Sequence, residues 1–418
     1  MFEQITLNLY PPFIEALDEL SNKYGETFTK INALSKEQLN FTTFIDAFVD
    51  SDNVANASID PNANTHNKDI CSLEREMAKP HQKIHSYNKI FYEMVKAYGL
   101  DFAKKWLEGE WNGEFYLHDS YSASFKPYCF AYDLDELVSR GLYFVDGFGG
   151  GGPKHLSTFV TQVKEFVSWT SNRTSGACGL PSFLVYAYYF WKHDTENNYY
   201  LVSPEYYRDQ CFQEFIYGLN QPYLRVAESA FTNISIMDRP YLEEIFGGRE
   251  FPDGTFAIDY IDDIIEFEKA FMLKISEIRS EMMFTFPVLT YSLLYDDKKH
   301  EFVDNDFARW CSDHNTLWAD SNFFVSSDVT SLSSCCRLVN DFSKLNGFIN
   351  SIGGTSLKIG SIKVNTINLM RIAYESEKNE EKYFEILKDR VHTCIKTLDV
   401  IRHIISRNVE KGLLPNYS

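Results

Sequence analysis

Apolar and aromatic side chains recur with a helical period along much of the chain. Between residues 71 and 110 they return every three or four positions, which is the spacing of one face of an α-helix. The members of this stripe are Ile84, Tyr87, Ile90, Phe91, Met94, Val95 and Tyr98. Residues 260–283 and 380–411 show the same kind of pattern. The sequence therefore predicts three long helices.

Short runs of β-branched and aromatic residues lie between the helical patterns, and each run is bounded by turn-forming residues. The predicted strands cover residues 113–119, 127–132, 231–236, 283–291, 322–326 and 361–369. Pro287 lies within one of these runs, so that strand is expected to be irregular. Strands that alternate with long helices favour an α/β architecture with a mainly parallel sheet.

Two segments of the chain are predicted to be loops. Residues 51–68 are rich in Asn, Asp and Ser, and residues 147–153 hold a run of glycines that ends at Pro153. The second loop leads into a helix predicted over residues 154–171. We expect two domains, an N-terminal helical extension over residues 1–50 and an α/β portion over residues 51–418.

Composition narrows the classes of partner. The chain has 418 residues, of which 44% are hydrophobic and 16% aromatic, which is enough for a sizeable core. Its formal net charge is −19, and it has no block of Lys or Arg that could follow a phosphate backbone. This pattern argues against nucleic acid as a partner. Small anions stay compatible with the sequence, since helix N-termini bind phosphates without net positive charge.

The chain has no run of 18 uncharged apolar residues and no signal-peptide pattern at its start, so we expect no membrane span. Its eight cysteines include no Cys-x-x-Cys pair, so a structural zinc site of that type is not predicted. This cysteine content is typical of a cytoplasmic protein with reduced thiols.

Two adjacent cysteines, Cys335 and Cys336, lie among polar residues that favour a loop tip over a core strand. A loop inside a barrel would bring them into its lumen, where one thiol could abstract a hydrogen atom and the other could exchange electrons through a disulfide. Cys129 lies in the strand predicted over residues 127–132. The alternative interpretation is core packing, because free cysteines usually behave as small buried hydrophobes. Core packing is also our expectation for Cys71, Cys178, Cys211, Cys311 and Cys394.

Five segments resemble the anaerobic, class III ribonucleotide reductase family of glycyl-radical enzymes. They are the Asn-rich stretch 53–64, Tyr116-Leu117-His118-Asp119, Phe231-Thr232-Asn233-Ile234-Ser235, the stretch 284–291 and the stretch 360–369. Each is short, but their order and spacing are specific, and the resemblance covers roughly residues 45–418. It implies a ten-stranded type of α/β barrel with a central finger loop, incomplete at the C-terminus of this chain.

The resemblance also implies roles for the three cysteines. Cys336 falls where the family carries its radical cysteine on the finger loop, and its thiyl radical would take the ribose 3′-hydrogen. Cys129 falls where the family has a second active-site cysteine on its first barrel strand. Cys335 resembles the extra loop cysteine of the branch that uses a thioredoxin-like reductant. Cys129 and Cys335 would then form the disulfide in each turnover.

Four further residues are candidates for binding substrate. Gly354, Thr355 and Ser356 precede a strand, and glycine backbone and hydroxyl groups can bond a substrate phosphate; a tight turn is the alternative. His118 could contact the ribose, or else His118 and Asp119 satisfy a turn.

Gln162 is a candidate for binding an effector. It lies in the region that the family uses for its allosteric dNTP site at the dimer interface. An exposed, solvated helical Gln is the alternative. The resemblance thus implies ribonucleoside triphosphates as substrates, dNTP or ATP effectors and a homodimer.

The chain departs from the family in one respect. The family stores its radical on a glycine in a C-terminal loop beside a four-cysteine zinc site, and neither pattern occurs here. We therefore expect no cofactor on this chain, a glycyl radical on a complementary C-terminal fragment, and a radical S-adenosylmethionine enzyme as the activase. Two alternatives stay open at this point, a non-catalytic fragment that retains dNTP binding or dimerisation, and a pyruvate formate-lyase-like acyltransferase.

Overall fold

A computed structural model describes residues 8–25, 32, 39–50, 70–143, 149–221, 224–225, 229–329, 331–333, 339–341 and 360–415. They belong to two compact units, which are described separately. The first comprises residues 1–55, 66–128 and 361–418, and the second comprises residues 56–65 and 129–360. The boundary predicted at residue 50 stays a prediction, and the loop predicted over 51–68 lies outside the described residues.

The helices of the described ranges, in chain order, are α1 (Pro11–Tyr24), α2 (Phe41–Asp50), α3 (Ile70–Tyr98), α4 (Leu100–Asn112), α5 (Asp135–Arg140), α6 (Leu156–Ser171), α7 (Phe183–Glu196), α8 (Pro204–Leu219), α9 (Arg239–Phe246), α10 (Ile261–Glu281), α11 (Asn305–Trp318), α12 (Leu369–Glu375) and α13 (Glu380–Glu410). The strands are β1 (Phe115–Leu117), β2 (Cys129–Ala131), β3 (Cys178–Gly179), β4 (Thr232–Met237), β5 (Val288–Asp296), β6 (Glu301–Phe302), β7 (Ser321–Ser326), β8 (Ser331–Ser333), β9 (Val339–Asp341), β10 (Gly360–Ser361) and β11 (Asn365–Ile367).

The three long predicted helices are confirmed as α3 with α4, α10 and α13. The first pattern is divided in two at Gly99, whose φ of 89° lies in the left-handed region that favours glycine. Periodicity alone could not locate this break, because the apolar spacing continues through it. None of the helices in the described ranges is long and apolar enough to cross a membrane.

The first unit is mainly helical, with one small antiparallel pair. Its core forms where apolar stripes of α1, α3, α4 and α13 meet, and the central members are Phe13, Ile90, Phe91, Trp106 and Ile401. Strand β1 pairs with β11, in the register Phe115 with Ile367 and Leu117 with Asn365. The strand predicted over 361–369 is thus two short strands, β10 and β11, rather than one.

The second unit is built on a parallel sheet. Strands β2, β3, β4, β5 and β7 are neighbours in chain order and all run parallel, with β6 antiparallel beside the end of β5. Helices α5 to α11 occupy the connections. The sheet is a curled half-barrel. The predicted α/β class, its mainly parallel sheet and its incomplete barrel are confirmed.

Strand β5 starts later than the sequence predicts. It begins at Val288, directly after Pro287, and continues to Asp296. Proline has no backbone N–H to donate to a neighbouring strand. It is therefore more common just before a strand than inside one.

A buried carboxylate at the end of β4 leads to a prediction about stability. The Glu268 Oε2 atom on α10 accepts the backbone N–H of Met237 at 3.0 Å. Burial and the neighbouring Asp238 carboxyl raise the pKa of Glu268 well above its usual value. Because the folded-state pKa is raised, folding favours the protonated form. That contribution to stability is complete below the unfolded-state pKa and is lost as pH rises through the folded-state pKa.

Replacing Glu268 with Gln should therefore stabilise the protein at alkaline pH. The amide keeps an oxygen for the Met237 N–H and cannot ionise. At pH 8 we expect Glu268→Gln to raise the free energy of unfolding by at least about 1 kcal/mol, and at pH 4.5 the gain should shrink. Urea denaturation at both pH values measures this, with Glu266→Gln on the exposed side of α10 as the control. An equal effect at both pH values would contradict the prediction.

Candidate functional site

One face of the half-barrel sheet is lined with polar side chains. The register pairs Ala131 with Gly179, Gly179 with Asn233, and Ser235 with Thr290. Paired residues share a face, and residues two apart on one strand share it as well. The residues on this face, which we call the polar sheet face, include Cys129, Ala131, Gly179, Asn233, Ser235, Thr290, Ser292 and Asn322, and its apolar members are Met237, Val288 and Phe324.

The polar sheet face is buried. Asn233 donates from Nδ2 to the Val288 carbonyl and to the Thr290 hydroxyl, both at 3.0 Å. The Ser292 hydroxyl is fully buried and has no hydrogen-bond partner among the described residues. Burying polar groups in this way costs free energy unless they are hydrogen-bonded. A buried sheet face with hydroxyl and amide groups is therefore suited to bind a polar ligand.

The opposite face of the same strands is apolar. It carries Ile234, Ile236, Leu289, Tyr291 and Leu293, and these side chains form part of the main core with the helices. The alternation Asn-Ile-Ser-Ile in β4 and Leu-Thr-Tyr-Ser-Leu in β5 is visible in the sequence. Parallel strands buried on both faces are usually apolar throughout. That alternation was the available signal for the polar sheet face, and the sequence analysis missed it.

Cys129 begins β2 on the polar sheet face. It is buried, with a relative exposure of 2%, and its Sγ accepts the backbone N–H of Ala177 at 3.1 Å. Cys129 is disulfide-bonded, whereas the other five cysteines of the described ranges form no disulfide. Its role in the reaction stays a prediction.

Cys335 and Cys336 lie outside the described residues. The strands on either side, β8 and β9, form an antiparallel pair in which Ser331 lies opposite Asp341 and Ser333 opposite Val339. Gly354, Thr355 and Ser356 also lie outside the described residues, so their assignment as substrate ligands stays a prediction.

His118 follows β1 in the first unit. Its backbone N–H donates to the Val364 carbonyl at 3.1 Å, and its Nε2 lies 2.8 Å from the Thr366 hydroxyl. The imidazole is half-buried between the rings of Tyr116 and Tyr128, with centroids at 5.0 and 6.2 Å. His118 is thus held in one orientation with part of its ring accessible.

Asp119 has a turn role. Its φ is 47°, and its carbonyl accepts the backbone N–H of Ser122 at 2.9 Å. The turn alternative therefore describes Asp119, while His118 bonds across to β11 through Thr366.

Strands β10 and β11 add two buried polar atoms to the first unit. The Asn365 Oδ1 and the Ser361 Oγ are buried and have no partner among the described residues. Lys363 lies between them in sequence, has a relative exposure of 5%, and places its ammonium 5.7 Å from the centre of the Tyr128 ring. The sequence pattern indicates the segment that holds β10 and β11, but it does not show that these side chains are buried.

Gln162 supports a glycine turn instead of facing solvent. It is half-buried on α6, and its Nε2 donates to the Gly151 carbonyl at 3.0 Å. Its Oε1 is buried without a partner among the described residues. A Cβ on the adjacent Gly152 would lie 2.4 Å from the Val138 carbonyl oxygen, so this backbone approach requires glycine. The alternative of a solvated helical Gln is therefore wrong; its effector role stays a prediction.

Four of the five cysteines assigned to packing are buried as predicted, and Cys71 is exposed instead. Burial raises the pKa of the Cys211 and Cys394 thiols to about 12. Such thiols are unreactive at neutral pH. Within the described ranges, no group of three or more His, Cys, Asp or Glu side chains could hold a metal ion.

Comparison with known proteins relates this arrangement to one family. Residues 76–418 match the family model described as anaerobic ribonucleoside-triphosphate reductase. No curated protein matches the chain.

The solved structures that resemble this chain are members of the same family. The anaerobic ribonucleotide reductase from Thermotoga maritima with dATP bound in the specificity site is 38% identical, with a TM-score of 0.84 over 99% of this chain. The same reductase in complex with dATP and CTP gives the same values. Another anaerobic ribonucleotide reductase is 37% identical, with a TM-score of 0.85. The chain spans 66% of the length of the first two structures and 63% of the third.

Proposed function

The chain belongs to the anaerobic ribonucleoside-triphosphate reductase family, and from this premise we propose that it is the cysteine-bearing catalytic part of such a reductase. It would reduce ribonucleoside triphosphates to deoxyribonucleotides. One observation carries the proposal: the disulfide-bonded Cys129 stands on a buried polar sheet face of a half-barrel. Family membership does not favour the acyltransferase alternative.

In this proposal Cys336 is the hydrogen-abstracting residue. Its thiyl radical takes the ribose 3′-hydrogen, after which the 2′-hydroxyl leaves as water. Cys129 and Cys335 supply two electrons and two protons and end as a disulfide, and the 3′-hydrogen returns from Cys336. The balance is one ribonucleotide and two thiols giving one deoxyribonucleotide, one disulfide and water. A thioredoxin-like protein then reduces the disulfide by exchange.

Substrate binding is assigned to groups that the ribose and phosphates can hydrogen-bond. His118 presents a fixed imidazole to the ribose. Gly354, Thr355 and Ser356 are proposed to bind the triphosphate through backbone N–H and hydroxyl groups.

The proposal includes a source for the radical on Cys336. We propose that a glycyl radical on a complementary C-terminal segment, generated by a radical S-adenosylmethionine activase, supplies the unpaired electron. A cytoplasmic location for the chain accords with this chemistry, because thiols stay reduced there.

The effector site is proposed at α6, in a homodimer. The buried Gln162 Oε1 has no partner among the described residues, and the Gly151–Gly152 backbone lies beside it. We expect dATP to bind this chain and to increase the dimer fraction, and Gln162→Ala to weaken dATP binding about tenfold. Calorimetry and analytical ultracentrifugation measure the two effects, with Gln221→Ala, at an exposed residue two positions beyond the end of α8, as the control. If both variants bound dATP with equal affinity, Gln162 would not belong to the effector site.

The function is tested by reconstitution without oxygen. The chain is combined with a C-terminal segment from a related reductase, the activase, dithiothreitol-reduced thioredoxin and CTP, and deoxycytidine nucleotides are measured by chromatography. Product that depends on every component would support the proposal. An inert chain that still binds dATP would favour the non-catalytic alternative.

A further inference from the structure

A buried glutamate lies directly behind the strand that carries His118. Glu110 belongs to α4 and has a relative exposure of 6%. Its Oε1 accepts the backbone N–H of Leu117 at 2.7 Å and the hydroxyl of Tyr87 at 3.0 Å. The second oxygen, Oε2, is buried and has no partner among the described residues. Glu110 therefore uses one carboxylate oxygen to join helix α3 to strand β1.

The surroundings of Glu110 do not neutralise it. Lys83 on α3 acts on it electrostatically, but burial lowers the pKa of that lysine. The other titratable groups that interact with it are Tyr87 on α3, Tyr116 on β1 and Cys394 on α13. Burial raises the pKa of Glu110 to about 7, against the Leu117 and Tyr87 hydrogen bonds and Lys83, which lower it. The Leu117 N–H needs an acceptor at this buried position, and the Glu110 carboxyl supplies it.

The hydrogen bond to Leu117 acts on His118 through the backbone. Strand β1 has three residues and pairs on one side only, with β11. The Leu117 N–H points to Glu110, and the next N–H, that of His118, points to Val364 at 3.1 Å. The two bonds hold the strand end from both sides. A charge-assisted bond is about twice as strong as a neutral one, so Glu110 supplies much of this restraint.

We propose that Glu110 is a positioning residue, whose carboxylate fixes the end of β1 and so sets the orientation in which His118 meets the substrate. This inference rests on the proposed role of His118 in the reductase. It assigns to Glu110 a function that acts through its neighbour and involves no contact with the substrate.

The proposal makes the protonation of Glu110 visible at His118. When the carboxyl ionises, its bond from Leu117 strengthens and the strand end tightens. The His118 ring signals should therefore respond to the ionisation of Glu110. Glu110→Gln keeps an acceptor oxygen for the Leu117 N–H but cannot ionise, so it should keep the position of His118 and lose this response.

The experiment uses the 418-residue chain with ¹⁵N-labelled histidine, and the His118 ring signals are identified by their loss in His118→Asn. In the parent, the ring shifts should change as pH passes through the pKa of Glu110, and in Glu110→Gln this change should be absent. In Glu110→Leu the His118 signals should move or broaden, and exchange of the Leu117 amide should speed up about tenfold or more. Tyr87→Phe, which removes the other donor to Glu110, should leave the Leu117 amide protected.

The outcomes separate positioning from packing. A folded Glu110→Leu variant with unchanged His118 signals would overturn the proposal, as would a response at the pKa of Glu110 that persists in Glu110→Gln. If Glu110→Leu does not fold, the Glu110→Gln titration decides alone. CTP affinity of His118→Asn is measured in parallel. If that affinity equals the parent's while Glu110 still controls the imidazole, the positioning holds and the substrate role of His118 fails.

Discussion

Cys336→Ser is expected to abolish deoxyribonucleotide formation in the reconstituted reductase. The serine hydroxyl keeps the shape of the loop residue, but an oxygen-centred radical is a poor substitute for a thiyl, so hydrogen abstraction from the ribose is lost. No product should appear even in a single turnover. The measurement is the anaerobic conversion of radiolabelled CTP, with dATP affinity as the check that the variant is folded.

Cys129→Ser and Cys335→Ser should fail at a later stage. Each still permits the first hydrogen abstraction, but neither leaves a thiol pair to form the disulfide, so repeated turnover stops. Exchange of a 3′-tritium label into solvent should persist in both variants and vanish in Cys336→Ser. Cys71→Ser is a matched control, because Cys71 is free and exposed.

Two results would contradict these assignments. If Cys335→Ser turned over at the parent rate with thioredoxin, the adjacent cysteine pair would be incidental and the proposed class of reductant would be wrong. If Cys336→Ser were active, another residue would have to carry the thiyl radical. Of the three cysteine assignments, that of Cys129 has support besides the resemblance, because Cys129 is disulfide-bonded in the structure.

Local pattern predicted the secondary structure well and the functional surfaces poorly. Helices α10 and α13 follow from their apolar period, and so does the strand of Cys129 from its neighbours, whereas the role of Cys129 came from the resemblance. The break at Gly99 was missed, since one left-handed residue leaves the period intact. Glu110 could not be found from sequence either. Its partners are the Leu117 N–H and the Tyr87 hydroxyl, and only the packing of α3, α4 and β1 brings them together.

A second large effect is expected at the end of β2, where a buried ion pair follows the strand of Cys129. The Asp133 carboxylate is fully buried and lies 2.6 Å from the Arg249 guanidinium, whose side chain is 13% exposed. Arg249 also donates to the Tyr186 hydroxyl on α7 at 3.3 Å. Asp135 lies further from Arg249, at 4.0 Å, and its side chain is 31% exposed. Removing Asp133 leaves the guanidinium with this more distant carboxylate, and breaking such a buried pair costs about 3–5 kcal/mol.

Asp133→Leu should therefore lower the free energy of unfolding by about 3–5 kcal/mol, whereas the double variant Asp133→Leu/Arg249→Met should recover most of the loss. Urea denaturation measures both. The control is Glu196→Gln, which breaks the exposed pair with Lys192 on α7 and should cost less than about 1 kcal/mol. Because Asp133 lies two residues beyond β2, the single variant should also displace Cys129 and slow turnover. A loss no larger than that of the control would mean that solvent reaches Arg249 and that the pair does not hold this strand end.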